Sequence, residues 1–163
     1  MTKALLIYTD FSLESLITLK KVLAEKNTEN NDCKYDIYLV SGYETGDSIS
    51  TLLFNSKGKI LSEIRSQEFC DAYNIIKNKY PHLINRIICD VYTGYFQRVF
   101  DNYINAKNIE EAYYCNSLIE KNTNKKFNLI PYIKKCKTLK STEIITEIPK
   151  SVIEKGILAK VFA

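Results

Sequence analysis

Thr9, Asp10 and Ser12 stand together where an apolar run ends, in the stretch LLIYTDFSLES. A carboxylate between two hydroxyls has two uses in such a place. It can accept hydrogen bonds from donor groups of a bound ligand. It can also accept them from the orphan amides that open a helix, opposing the helix dipole, an effect of about 1 kcal/mol. Further along, Cys115, Asn116, Ser117 and Lys121 make a polar, basic stretch with Lys125 and Lys126 beyond. Lysines there can meet an anion as point charges, and a thiol beside cations gives up its proton more readily. A solvated loop and an inert core thiol are the plainer readings. Gly42 and Gly46 flank Tyr43, Glu44 and Thr45, which reads as a turn needing positive φ or as a lid over a small ligand. Asp90, Tyr92, Thr93 and Gly94 lead into a helical pattern, where free amides can bind an anion, though loop and cap roles are expected.

Other chemistry has little to build on. His82 is the single histidine, so neither a multi-histidine metal centre nor a Ser-His triad is expected. There is no Gly-x-Ser-x-Gly elbow, no Gly-Lys-Ser/Thr phosphate loop and no metal-ligand spacing. The five cysteines include no CxxC pair and read as reduced thiols. With 163 residues and a net charge of +4, one domain is expected, residues 1–149, followed by an apolar-rich tail, 150–163, that packs on the body or on a dimer partner. The lysines of KNTNKKF and YIKKCKTLK read as a solvated face, and no nucleic-acid partner is expected. No apolar run approaches the length of a membrane span. Lys3 precedes only five apolar residues before Thr9 and Asp10, so no secretion signal is read and a cytoplasmic location is expected. The twelve tyrosines read mainly as core and sheet packing, with base stacking as the rival.

What must position these residues is an alternation of two periodicities. Residues 4–9 form a continuous apolar run, as in a strand covered on both faces. An amphipathic helix follows from about Ser12. Strands are expected at 35–43, 84–94, 110–116 and 141–149, and helices at 62–80, 95–108 and 126–136, with a helical turn around 49–54. Pro131 fits the last helix only in its first turn or at a kink. Strand–helix alternation of this kind implies an α/β fold, an open five-stranded parallel sheet with helices on both faces, Rossmann-like in its winding. Ligands in such sheets bind beyond the carboxyl ends of the strands, at the switch point.

The opening strand, the Asp-aromatic-Ser turn and the long first helix in LLIYTDFSLESLITLKKVLAEK, with a second strand ending IYLVSGYE, resemble the universal stress protein family. The resemblance implies a small, often dimeric α/β domain, acting in stress response through protein contact or small-ligand sensing. Some members bind ATP, and the resemblance places their adenosine contacts on Asp10 and Val40. Their phosphate segment carries Gly, two residues, Gly, nine residues, then Gly-Ser. Here Cys115, Leu118, Asn128 and Leu129 stand at those positions, and residues 95–155 contain no glycine. Backbone amides cannot approach phosphate oxygens there as they do around glycine. A non-catalytic, homodimeric domain without a resident cofactor is therefore expected, with ATP or AMP binding at a divergent site as the alternative. The candidate ligand residues are Thr9, Asp10, Ser12, Val40, Gly42, Cys115, Asn116, Ser117 and Lys121, and Asp10 is read first as a helix cap.

Overall fold

The apolar run at the start is β1 (Thr2–Tyr8), and it alternates between two cores. Leu5 and Ile7 point to one face of the sheet, Leu6 and Tyr8 to the other, all of them buried. Period-two alternation with both faces apolar is what a central parallel strand requires. The structure is a computed structural model and describes residues 1–29, 32–44, 57–116 and 126–145. Gly46, Ser117, Leu118, Lys121, Lys125, the helical turn around 49–54 and the tail 150–163 lie outside them.

β1 pairs in parallel with β2 (Lys34–Tyr43) on one side and β4 (Ile109–Tyr114) on the other. β3 (Ile84–Tyr92) lies outside β2, and β6 (Lys140–Glu143) outside β4, giving the order β3-β2-β1-β4-β6. Helix α1 (Leu16–Thr28) covers the Leu5–Ile7 face together with α2 (Lys57–Ile64) and α3 (Gln67–Lys79). Helix α4 (Gln97–Ala106) covers the Leu6–Tyr8 face through Phe100 and Ile104, joined by α5 (Ile130–Lys135). The fold is the expected α/β class, a five-stranded parallel sheet with helices on both faces. One feature was not foreseen: β5 (Lys126–Phe127), a two-residue strand, pairs antiparallel with Gly42 and Tyr43 and makes the sheet six-stranded.

Several element boundaries differ from the sequence pattern; β6, expected over 141–149, ends at Glu143, and three differences have a clear local cause. The helix expected over 62–80 is two helices, because Ser66 turns extended (φ −77°, ψ 165°) and its Oγ accepts the Phe69 amide at 3.1 Å. An N-cap hydroxyl of this kind starts a new helix instead of continuing the old one. The helix expected from 126 begins at Ile130, since Lys126 and Phe127 are in β5 and Asn128 Oδ1 accepts the Ile130 amide at 3.0 Å. Pro131 then falls in the first turn, where its missing N–H leaves nothing unpaired. The first helix begins at Leu16, after a lead-in of i→i+3 bonds such as Ser15 N to Ser12 O at 3.3 Å. No disulfide joins the five cysteines, all of which lie among the described residues. Among those residues no helix is long and apolar enough to cross a membrane.

Candidate functional site

Past Tyr8 the chain leaves the sheet through Thr9, whose amide still donates to the Val40 carbonyl at 3.0 Å. The next step is unusual. Phe11 has φ 58°, a left-handed backbone in which a bulky side chain is strained by about 1–3 kcal/mol. Its ring is buried against Phe69, centroids 5.5 Å apart and edge to face. Short-range hydrogen bonds hold the turn. Thr9 Oγ1 accepts the Phe11 amide at 2.9 Å and meets Ser15 Oγ at 2.5 Å. Asp10 Oδ1 accepts the Ser12 amide at 2.9 Å and the Ser12 hydroxyl. Ser15 Oγ donates to Ser12 O at 2.7 Å.

This corrects the helix-cap reading of Asp10. The N-cap of α1 is Ser15, with αR angles and no side-chain cap bond. Asp10 instead closes an Asx turn one turn upstream, at the head of the lead-in. Ser12 belongs to the same network.

A second strand of the site comes from 116 residues away. Lys126 pairs with Tyr43 through the backbone and sends Nζ to the Asp10 carbonyl at 2.8 Å. Phe127 seats on Gly42: a Cβ there would lie 2.4 Å from the Phe127 carbonyl oxygen. Gly42 is thus within β2, and close approach of β5, not a turn with positive φ, requires its missing side chain. Val40 is fully buried, facing α4 and α5, and offers its carbonyl to Thr9.

On the β4 side the candidates diverge. Cys115 is buried in the core under α1. Asn116 is exposed and donates from Nδ2 to Glu143 Oε1 at 3.0 Å, across to the β6 edge. So the structure gathers Thr9, Asp10, Ser12, Val40 and Gly42 around β5, while Cys115 and Asn116 look elsewhere. Ser117 and Lys121 lie outside the described residues. The role of Phe127 was not legible, because a two-residue strand has no periodicity to detect.

Two further polar clusters sit away from this crevice. At the end of β3, Asp90 is buried, and its carboxylate takes the Val91 amide at 2.9 Å, Lys57 Nζ at 3.1 Å and the Tyr103 hydroxyl at 2.8 Å. Burial and the Asp90 charge together push the Tyr103 phenol well up. At the amino edge of the sheet, buried Lys26 lies 3.1 Å from Glu111 and 3.2 Å from Glu29, with the Tyr113 hydroxyl donating to Glu111. Burial lowers the Lys26 ammonium pKa, but Glu111, Tyr113 and Glu29 together outweigh this and hold it above its ordinary value. Near Lys26 a cavity of about 420 Å³ is lined by Asn27, Asp32, Cys33, Lys34, His82 and Leu83. His82 Nε2 is 2.8 Å from Asn27 Oδ1 in this region, which ties α1 to the turn between α3 and β3. Among the described residues no group of three His, Cys, Asp or Glu side chains is placed to hold a metal ion.

The remaining feature is aromatic. Tyr92, Phe127 and Tyr132 pack mutually edge to face, with centroids 6.1 to 6.3 Å apart. Beside them a cavity of about 340 Å³ is lined by Glu44, Gly94, Tyr95, Phe127, Asn128 and Tyr132.

No family model matches the chain, and no curated protein does. Among solved structures, one described as a hypothetical protein is 11% identical, with a TM-score of 0.48 over 90% of this chain and 99% of its own. Another, a universal stress protein in complex with cAMP, is 10% identical, with a TM-score of 0.42 over 89% of this chain and 98% of its own. The fold class stands on this chain's own strand order and crossovers.

Proposed function

We propose that this chain is a universal stress protein-like α/β domain that acts without catalysis, in a stress response, by protein contact or by sensing a small ligand at the carboxyl edge of its sheet. The observation that carries this reading is how the polar groups there are engaged. Asp10, Thr9, Ser12 and Ser15 bond to one another and to the amides of Phe11 and Ser12. Asn116 holds Glu143, and the Cys115 thiol is buried. A general acid or base must aim its proton or lone pair at a reacting atom, whereas these groups shape a turn. The homodimer is part of the proposal. Among the described residues β6 is an edge strand whose four residues are all exposed, with Ile145 exposed beyond buried Ile144, a template for pairing with a second chain.

One observation favours the adenine-nucleotide alternative: Lys126 brings a cation to the Asp10 turn. That lysine, with Thr9 and Asp10, would hold a phosphate and a sugar or base in a divergent site.

Thermal unfolding with millimolar ATP, AMP or cAMP separates the two readings. Ligand at a hundred times its Kd adds about 2.7 kcal/mol, or roughly 5–10 °C in Tm for a chain of this size. Such a rise, lost in Lys126→Ala, establishes the nucleotide reading. No rise with any of the three rejects it. Nucleotide hydrolysis by the purified chain, abolished by Asp10→Asn, would overturn the non-catalytic reading. Light scattering that returns a monomer mass at all concentrations removes the dimer.

A further inference from the structure

We propose that the aromatic cavity beside β5 binds the head of a compact organic cation, an alkylammonium group. The proposal does not rest on the function above. Three elements each contribute a ring: Tyr95 from the turn after β3, Phe127 from β5 and Tyr132 from α5. Glu44, exposed at the end of β2, supplies a carboxylate, and among the described residues no lysine, arginine or histidine lines the cavity. A ring face is the negative part of an aromatic quadrupole, and each ring within about 6 Å of a cation adds roughly 0.5–2 kcal/mol. A carboxylate at the mouth completes a set that attracts positive charge from two directions.

The walls are held in place before any ligand arrives. Phe127 and Tyr132 are inclined by 63°, centroids 6.2 Å apart, and both lean on buried Tyr92 at 67° and 62°. The Tyr132 hydroxyl donates to the Tyr95 carbonyl at 3.0 Å, and Gln97 Nε2 donates to the Tyr132 carbonyl at 2.9 Å. Gly94 lets the Tyr95 backbone fold in, since a Cβ there would lie 2.4 Å from the Tyr92 hydroxyl. Rings fixed in this way lose little freedom on binding. Asn128 Oδ1 is occupied by the Ile130 amide, which among the described lining residues leaves Glu44 as the charged acceptor. An anion would meet the Glu44 carboxylate with the wrong sign. A volume of about 340 Å³ accommodates a choline-sized cation.

The same chemistry operates elsewhere in the chain, where Lys107 Nζ lies 5.3 and 5.1 Å over the Tyr38 and Tyr103 rings. In the cavity an outside cation would take that place.

The test is an NMR titration of isotope-labelled protein with choline chloride and, in parallel, with 3,3-dimethylbutan-1-ol, which has the same shape with carbon in place of nitrogen. The expected result is saturable shifts at the amides of Gly94, Tyr95, Phe127 and Asn128, with the neutral alcohol at least about tenfold weaker. Tyr95→Ala, at a half-exposed position that leaves the core intact, weakens choline by about tenfold, the loss of one ring. Glu44→Gln weakens choline and leaves the alcohol unchanged. Equal binding of the two compounds overturns the proposal, as does a choline Kd weaker than about 100 mM, near −1.4 kcal/mol. Shifts that saturate but ignore both substitutions overturn it too.

Discussion

At the scale of single residues, Lys26 and Glu111 show how a charged pair survives near the core. The Lys26 side chain is only 8% exposed and Glu111 20%, yet each has a partner of opposite charge and the Tyr113 hydroxyl completes the set. Burial pushes the Glu111 carboxyl up, but the Tyr113 hydroxyl and Lys26 outweigh it and hold it below the ordinary carboxylate value. A folded value below the unfolded one contributes stability that is complete above the unfolded pKa and is lost as pH falls through the folded one. Glu111→Gln is therefore expected to cost about 2 kcal/mol at neutral pH, less than the loss from a fully buried pair because Glu29 stays on Lys26. In urea melts across the acid range, the difference between variant and wild type narrows as pH drops below about 4. A gap that stays constant to pH 3 would show that the carboxylate charge is not what matters. Neither partner was legible in the sequence, since 85 residues part them and nothing in either local pattern points to the other.

At the scale of elements, β5 is the addition that reorganises the carboxyl edge. Two residues cannot form a strand by propensity; they pair because Gly42 leaves room for the Phe127 backbone. Gly42→Ala gives a sign to check. In an ordinary strand interior, alanine in place of glycine stabilises by about 0.5–1 kcal/mol. Here the new Cβ meets a backbone oxygen, and a loss of about 1–3 kcal/mol is expected in denaturant unfolding. Hydrogen exchange at Tyr43 and Lys126 should quicken with it. A stabilised variant with unchanged exchange would refute the seating of β5. The break at Ser66 belongs to the same scale, because one hydroxyl accepting the Phe69 amide outweighs the continuous apolar stripe that suggests a single helix.

At the scale of the whole molecule, each of the two cores holds tyrosines whose hydroxyls sit in or near apolar surroundings. Burial, with the Asp10 charge adding to it, pushes the Tyr8 phenol up to about 12. Burial also raises Tyr92 to about 12, with Tyr132 and Asp101 nearby. Tyr103 and Tyr113 are raised as well, each mainly by burial and then by a carboxylate partner. A phenol whose folded value lies above the ordinary 10.0 contributes stability that is complete below pH 10.0 and lost as pH rises toward 12. The phenolate absorbance of the native protein should accordingly show a late phase above pH 11 or so that coincides with loss of the far-ultraviolet dichroism signal. Smooth titration of all tyrosines around pH 10, with the fold intact, would contradict this placement.

What the sequence determined by itself was the architecture. Continuous apolar runs and 3.6-residue stripes alternate because each strand must be covered on two faces and each crossover must return on one of them. That requirement is written into every local window of the chain. The turn at Thr9, Asp10 and Ser12 was legible as a place, since it follows the central strand. Its chemistry was decided only in three dimensions. The left-handed Phe11, the Asx turn in place of a helix cap, the lysine arriving from residue 126 and the ring pocket at Tyr95, Phe127 and Tyr132 all depend on contacts between distant segments. Such contacts leave no periodic trace, because a side chain reaching across the sheet edge is constrained by its partner and not by its neighbours in sequence.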